Sequence, residues 1–257
     1  MKRQIMVLFM GLALFSSCYD AMNEVPLERM PPEIAFKDSL KVEMFVNELY
    51  VGLNTGIGGY NSFGGGSANQ NSFFDCVTDL GVLSPRGTNT AVNSFTRATF
   101  HSGSGGNTDS RWAQVYQYIR KTNLVLEYIH YCDNLSESKM AQYIGEAKLH
   151  KALLHYEMLK RYGGITIMDD LFEGGNIELP RNTFEECVEY IVHLCEEAAG
   201  GLPLRYPDND YGRLTKGAAL GLKAKVLLYA ASPLFNENPI AGTNEIQRYA
   251  SADNTRW

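Results

Sequence analysis

The chain has little of what catalytic and nucleic-acid-binding proteins usually display. Of its 257 residues only 2 are tryptophan, 5 are histidine and 5 are cysteine. No two cysteines show C-x-x-C spacing, so zinc and dithiol redox readings start weak. Cys187 and Cys195 stand eight apart on an expected helix, roughly 12 Å along its axis, too far for a disulfide. Cys76, Cys132, Cys187 and Cys195 therefore read as buried thiols acting as small hydrophobes. There is no Lys/Arg cluster, and the net charge is −6. An acidic chain of this kind is a poor partner for nucleic acid or anionic lipid headgroups. No G-K-[ST] follows its glycine clusters and no G-x-S-x-G occurs, which removes the phosphate-loop and nucleophile-elbow readings. Beyond the leader no apolar run approaches 18 residues, so no spanning helix is expected there.

What is present is ordinary globular material: 45% apolar and 20% charged residues, in a chain long enough for one large domain or two small ones. Tyrosine (15) and phenylalanine (12) supply many rings to a core or a binding face.

Residues 1–17 read as an export signal. Lys2 and Arg3 form a basic start, and residues 5–15 are an apolar run too short to span a bilayer. Ser16 and Ser17 then precede Cys18. The string LFSSC resembles the lipobox of bacterial lipoproteins, in the relaxed form found in Bacteroidetes: Leu14 sits four residues before Cys18, and Phe15 holds the usual leucine place. That resemblance implies cleavage before Cys18, a diacylglycerol on its thiol and an acyl chain on its new amino group. Each buried methylene contributes about 0.8 kcal/mol, so several chains anchor stably. An ordinary secretory signal with Cys18 incidental is the alternative. Loss of two positive charges with the leader takes the net charge from −6 to −8.

Residues 18–37 read as a tether, polar and holding Pro26, Pro31 and Pro32. A helix is expected over 38–53, with Leu40, Met44, Phe45, Leu49 and Leu53 as its apolar face and Asp38 or Ser39 as cap. Residues 54–109 are loop, with glycines at 56, 58, 59, 64, 65 and 66 beside Tyr60 and Phe63. From Arg111 the period turns helical. Trp112, Val115, Tyr116, Ile119, Asn123, Leu126 and Ile129 form one face; Asn123 on it reads as a core amide satisfied by backbone. A second helix runs over about 138–162, capped by Ser136 or Ser138 and closed by Gly163. The β-branched Ile165-Thr166-Ile167 follows. A third helix covers 183–199, opened by a Thr183-x-x-Glu186 capping box. A fourth covers 215–232 and is rich in small residues. The short connection between the first two helices of this run makes them antiparallel neighbours.

Two consecutive helix pairs, 111–162 and 183–232, predict a mainly α fold in which tetratricopeptide-like pairs form an α-solenoid scaffold with long irregular loops. The expected domains are a leader at 1–17, a tether at 18–37, a helical-repeat body at 38–233 and the start of a further region at 234–257. Two pairs are few for a solenoid, so something else is expected to pack on them.

Five strings carry a family resemblance: LFSSC, RWAQVYQYIRKTNLVLEYI, IGEAKLHKALLHYEMLKRYGGITIM, LPRNTFEECVEYIVHLCEEAAGGLP and RLTKGAALGLKAKVLLYAASPLFN. In this order and spacing they resemble the SusD/RagB family of Bacteroidetes outer-membrane lipoproteins. Residues 148–152, KLHKA, depart from the family's usual Arg-Phe-Leu-Arg-Ala. The resemblance implies a surface-exposed, non-catalytic lipoprotein that binds starch or another glycan for uptake. It implies as partner a SusC-like TonB-dependent transporter, and the outer membrane through the lipid on Cys18. A scaffold or lid binding only the transporter, or a peptide ligand, is the alternative. Members of the family run to roughly twice this length, so the chain reads as the N-terminal part of a longer protein. No cofactor, metal or nucleic-acid partner is expected.

A glycan site needs flat rings ringed by hydrogen-bonding side chains. The candidates are Tyr60, Phe63, Asp79, Arg86 and Trp112, although Trp112 opens an apolar helix face where core packing is the stronger reading. The carboxylate pairs Asp169-Asp170, Glu185-Glu186 and Glu196-Glu197 do not suit glycoside hydrolysis, which needs carboxyl groups facing each other from separate elements. His150 and His155 are five apart, off the spacing of a helical metal pair, and Glu146 shares a face with His150 without a third ligand.

Overall fold

The protein is seen in a computed structural model that describes residues 30–56, 79, 112–172, 178–232 and 234–236. Among these residues it is built of helices and turns, with no strand. Helix α1 is a single turn, Pro32–Ala35, with proline at its start, where the missing N–H costs nothing. Helix α2 is Ser39–Gly56, α3 Trp112–Tyr128, α4 Glu137–Tyr162, α5 Phe184–Gly201 and α6 Lys216–Ala230. One-turn 3₁₀ helices follow α3 at Ile129–Tyr131 and precede α6 at Asp208–Asp210.

The helix ends lie where the local chemistry sets them. Asp38 Oδ1 accepts from Leu40 N–H at 3.0 Å. Ser136 caps α4 and Thr215 caps α6 through side-chain oxygens. Thr183 and Glu186 close the expected capping box on α5. Gly163 ends α4 at φ 70°, a conformation that favours glycine, and its N–H returns to Leu159 O at 3.0 Å.

Contacts at the helix ends establish antiparallel order throughout. Phe36, just ahead of α2, meets Tyr128 at the end of α3, while Gly52 near the end of α2 lies on Tyr118 near the start of α3. Tyr116 at the start of α3 donates to Thr166 O just past α4, at 2.7 Å. Gly145 of α4 lies against Ala198 and Leu202, and Gly201 backs onto Ala141 O. At that crossing α4 and α5 meet backbone to backbone. Phe184 at the start of α5 stacks on Phe235 beyond α6 at 4.1 Å. The two expected pairs, α3/α4 and α5/α6, therefore exist and stack, and α2 adds a further helix against α3 and α4.

Two cores result. The larger joins α3, α4, α5 and α6 through residues such as Ile119, Leu149, Met158, Phe184, Ile191 and Val226. The smaller joins α1, α2, the end of α3 and the start of α4 through Phe36, Val42, Val46, Leu49, Ile129 and Tyr143. Cys132, Cys187 and Cys195 are free and buried, as expected for small hydrophobes.

One sequence expectation is corrected. The inner face of α2 is Val42, Val46 and Leu49, whereas Leu40 and Met44 are each 69% exposed. Both stripes have helical spacing, and only packing against α3 and α4 chooses between them. Residues flanking the long helices also pack on them. Phe36, assigned to the tether, is 1% exposed and stacks on Phe45 at 4.9 Å. Asn236, beyond residue 233, donates to Ala230 O at 2.9 Å and closes α6. Ile165-Thr166-Ile167 is neither helix nor strand and is held by Asn182, whose N–H donates to Ile165 O at 2.9 Å and whose Oδ1 accepts from Ile167 N–H at 3.0 Å. No helix among the described residues is long and apolar enough to cross a membrane.

Candidate binding site

Of the expected glycan-contacting residues, the structure places Trp112 and Asp79. Cys18, Tyr60, Phe63 and Arg86 lie outside the described residues. Asp79 is an exposed turn residue. Trp112 is the first residue of α3. It is 36% exposed, so it is not the core residue its helix face suggested. Its ring lies 5.0 Å from Tyr116, tilted by 45°, and 5.1 Å from Tyr162, edge-on at 83°. Tyr116 is fixed by its bond to Thr166 O, and burial pushes its hydroxyl up to about 12. Arg181 donates to the carbonyls of Tyr162 and Gly164 and so holds the same corner. The result is a three-ring edge on rigid supports, with one indole partly open to solvent. Such an edge can take the apolar face of a ring-shaped ligand.

About sixteen residues back along α4, roughly 24 Å by helix rise, lies a polar network that sequence reasoning missed. Glu146 is fully buried. Its Oε2 accepts from Tyr50 hydroxyl at 2.9 Å and Arg213 Nη1 at 2.9 Å; its Oε1 accepts from Gln142 Nε2 at 2.7 Å and Tyr206 hydroxyl at 3.1 Å. Arg213 also donates to Asp210 at 3.0 Å, Asn47 at 2.8 Å and Glu43 at 3.3 Å. Leu214 N–H donates to Tyr50 hydroxyl at 2.9 Å. The network thus ties α2, α4 and the α5–α6 connection. Burial opposes the charge on Arg213, but Glu146 and Asp210 outweigh it and hold its pKa above the usual arginine value. Burial, then Glu146, raises the pKa of the hydroxyls of Tyr50 and Tyr206. One signal was available: a carboxylate between Gly145 and Ala147 on a helix buried on most sides must find a partner.

A second cluster lies nearer the end of α4. Lys151 is 1% exposed, and its ammonium pairs with Asp169, which also accepts from Tyr190 hydroxyl at 2.6 Å. Burial lowers the Lys151 pKa against the pull of Asp169. Burial opposes ionisation of Asp169, yet Lys151 and Tyr190 hold its pKa below the usual carboxylate value. His150 and His155 are buried, and burial takes each down to about 4. Their Nδ1 atoms lie 2.7 and 2.8 Å from the carbonyls of Glu146 and Lys151, so Nδ1 carries the proton and donates. These are neutral core histidines. Among the described residues no three His, Cys, Asp or Glu side chains are grouped to hold a metal.

Four of the six carboxylates in these pairs are engaged in structural bonds. Asp169 serves Lys151, Glu186 the capping box, Glu196 bonds Lys223 at 2.6 Å, and Glu197 pairs with Lys148 at 3.1 Å. Asn123 Nδ2 donates to the carbonyls of Met168 at 3.1 Å and Asp170 at 3.3 Å, so backbone satisfies the amide nitrogen as expected, while its Oδ1 is buried without a partner among the described residues.

Residues 27–228 match the SusD-like family model described as starch-binding and associating with the outer membrane. SusD-like protein P25 of Formosa agariphila is 24% identical over 236 residues, which cover 88% of this chain and 43% of the relative. A crystal structure of a SusD-like protein from Bacteroides fragilis superposes with a TM-score of 0.53 at 28% identity, covering 80% of this chain and 38% of that one. A laminarin-binding SusD-like protein superposes with a TM-score of 0.59 at 19% identity, covering 80% and 45%, and shows the shared fold. The chain thus spans less than half the length of these relatives.

Proposed function

Because the chain belongs to the SusD-like family, we propose that it is a surface-exposed outer-membrane lipoprotein, anchored through Cys18, that binds a glycan without cleaving it. In this reading it presents the glycan to a SusC-like TonB-dependent transporter. The observation that carries the reading is the family match over residues 27–228, whose description joins starch binding to outer-membrane association. The laminarin-binding relative adds β-glucan to starch as a ligand class to test. Trp112 suits the role: its ring is braced by Tyr116 and Tyr162 and partly exposed. Engagement of carboxylates in caps and ion pairs fits a binding protein better than a hydrolase.

The test is calorimetric titration of the purified full chain with laminarihexaose, maltohexaose and a panel of other oligosaccharides. Saturable binding to at least one, without release of shorter products, is expected. Trp112→Ala should weaken it by about tenfold or more. Absence of binding across the panel, with a transporter still co-purifying, would leave only the lid role. Labelled palmitate should enter the wild type and not Cys18→Ala; label retained in that variant removes the anchor.

A further inference from the structure

The connection between α5 and α6 is not a slack loop. Pro203 O accepts from Lys216 N–H at 2.9 Å, the Asp208–Asp210 turn is hydrogen-bonded within itself, and Gly212 at φ 101° reverses the chain directly after Tyr211. Its base is Tyr206 and Arg213, both locked onto the buried Glu146. On this base lies a cleft of about 280 Å³ that includes Leu204, Arg205, Asp208 and Tyr211 in its lining. That is just below the range for cavities that take drug-sized ligands, about 300–1,000 Å³, and suits a small ligand.

The rim is unusual for a surface loop. Tyr211 is 92% exposed and Leu204 80% exposed, and Arg205 and Asp208 are exposed beside them. A tyrosine has few rotatable bonds, so a ring held out on a pinned loop loses little entropy when a ligand covers it. The flat tyrosine ring matches the C–H face of a sugar, and Leu204 adds apolar surface. A guanidinium and a carboxylate together suit neutral hydroxyls, which both donate and accept, better than a charged or wholly apolar ligand. The base is held by Arg213, which donates to Glu146, Glu43, Asn47 and Asp210, and by the Tyr206 hydroxyl, whose one proton lies between Glu146 and the Leu214 carbonyl, which gives the rim a fixed support.

We propose that this cleft is a saccharide subsite that takes one neutral sugar unit, with Tyr211 as its stacking platform. It rests on the glycan-binding reading above. It is a different site from the Trp112 edge, because its base joins α4 at Glu146 whereas Trp112 joins α4 at Tyr162, roughly 24 Å further along.

The experiment titrates the full chain, Tyr211→Phe and Tyr211→Ala with the oligosaccharide from the panel that the wild type binds best. Tyr211→Phe should bind like the wild type, because the ring remains. Tyr211→Ala should bind about tenfold more weakly, with an unchanged melting temperature because the side chain is exposed. If the wild type binds and Tyr211→Ala binds equally well, the subsite is wrong and the glycan reading stands. A wild type that binds nothing on the panel removes both. Tyr211→Phe losing as much as Tyr211→Ala removes the stacking role.

Discussion

The Glu146–Arg213 pair invites the sharpest test, because it joins three parts of the chain inside the protein. Arg213→Ala removes one partner of an ion pair in which Glu146 is 0% and Arg213 11% exposed. Removing one member of a buried pair costs about 3–5 kcal/mol, because the other charge stays buried. Tyr50, Gln142 and Tyr206 still donate to Glu146, so the cost should sit near the lower bound, about 3 kcal/mol. For a body of this size each kcal/mol shifts the melting temperature by about 2–4 °C, so a fall of roughly 6–12 °C is expected by circular dichroism. Arg205→Ala, an exposed change on the same connection, should stay within about 0.5 kcal/mol of the wild type. In a cycle of Glu146→Gln with Arg213→Met, the double variant should lose less than the two single losses together, with a coupling of at least about 1 kcal/mol. A melting temperature that barely moves in Arg213→Ala, or losses that simply add, would refute the claim that the pair holds α2, α4 and the α5–α6 connection together.

Stability should also fall on mild acidification. His150 and His155 stay neutral in the fold down to about 4, whereas an unfolded histidine takes its proton near 6.5. Between those values the unfolded state binds more protons, so each histidine removes on the order of 1 kcal/mol per pH unit as pH falls, with no effect above 6.5. Urea midpoints measured from pH 7 to 4.5 should show this slope, and a flat profile would contradict neutral burial. Gly201→Ala would drive a Cβ into the Ala141 carbonyl and should cost about 1–3 kcal/mol by forcing α4 from α5. Gly221→Ala meets nothing within 4 Å and should stabilise α6 by about 0.5–1 kcal/mol; thermal melts of the two variants should shift in opposite directions. Thr183→Ala breaks the capping box and should cost about 1 kcal/mol in the same assay.

Residue order alone set the ends of α4, α5 and α6. Ser136, Thr183, Thr215 and Gly163 act on backbone groups within a few residues of themselves, so their effect is readable without knowing the fold. The pairing of α3 with α4 followed from their short connection. The structural role of Asn123 and the capping role of Glu186 were legible for the same reason: one side chain on a known face, or one cap at a known spacing.

Tertiary structure decided the rest, because the deciding contacts join distant parts of the chain. On α2, the Leu40 and Val42 stripes are equally helical, and only α3 and α4 select the second. Glu146 and Arg213 lie 67 positions apart; neither has a local partner that predicts the other. Trp112 begins an apolar face yet stays partly open, because Tyr116 and Tyr162 cover only part of its ring. Tyr211 was one polar-loop residue among many until the buried base beneath its cleft made it a candidate platform.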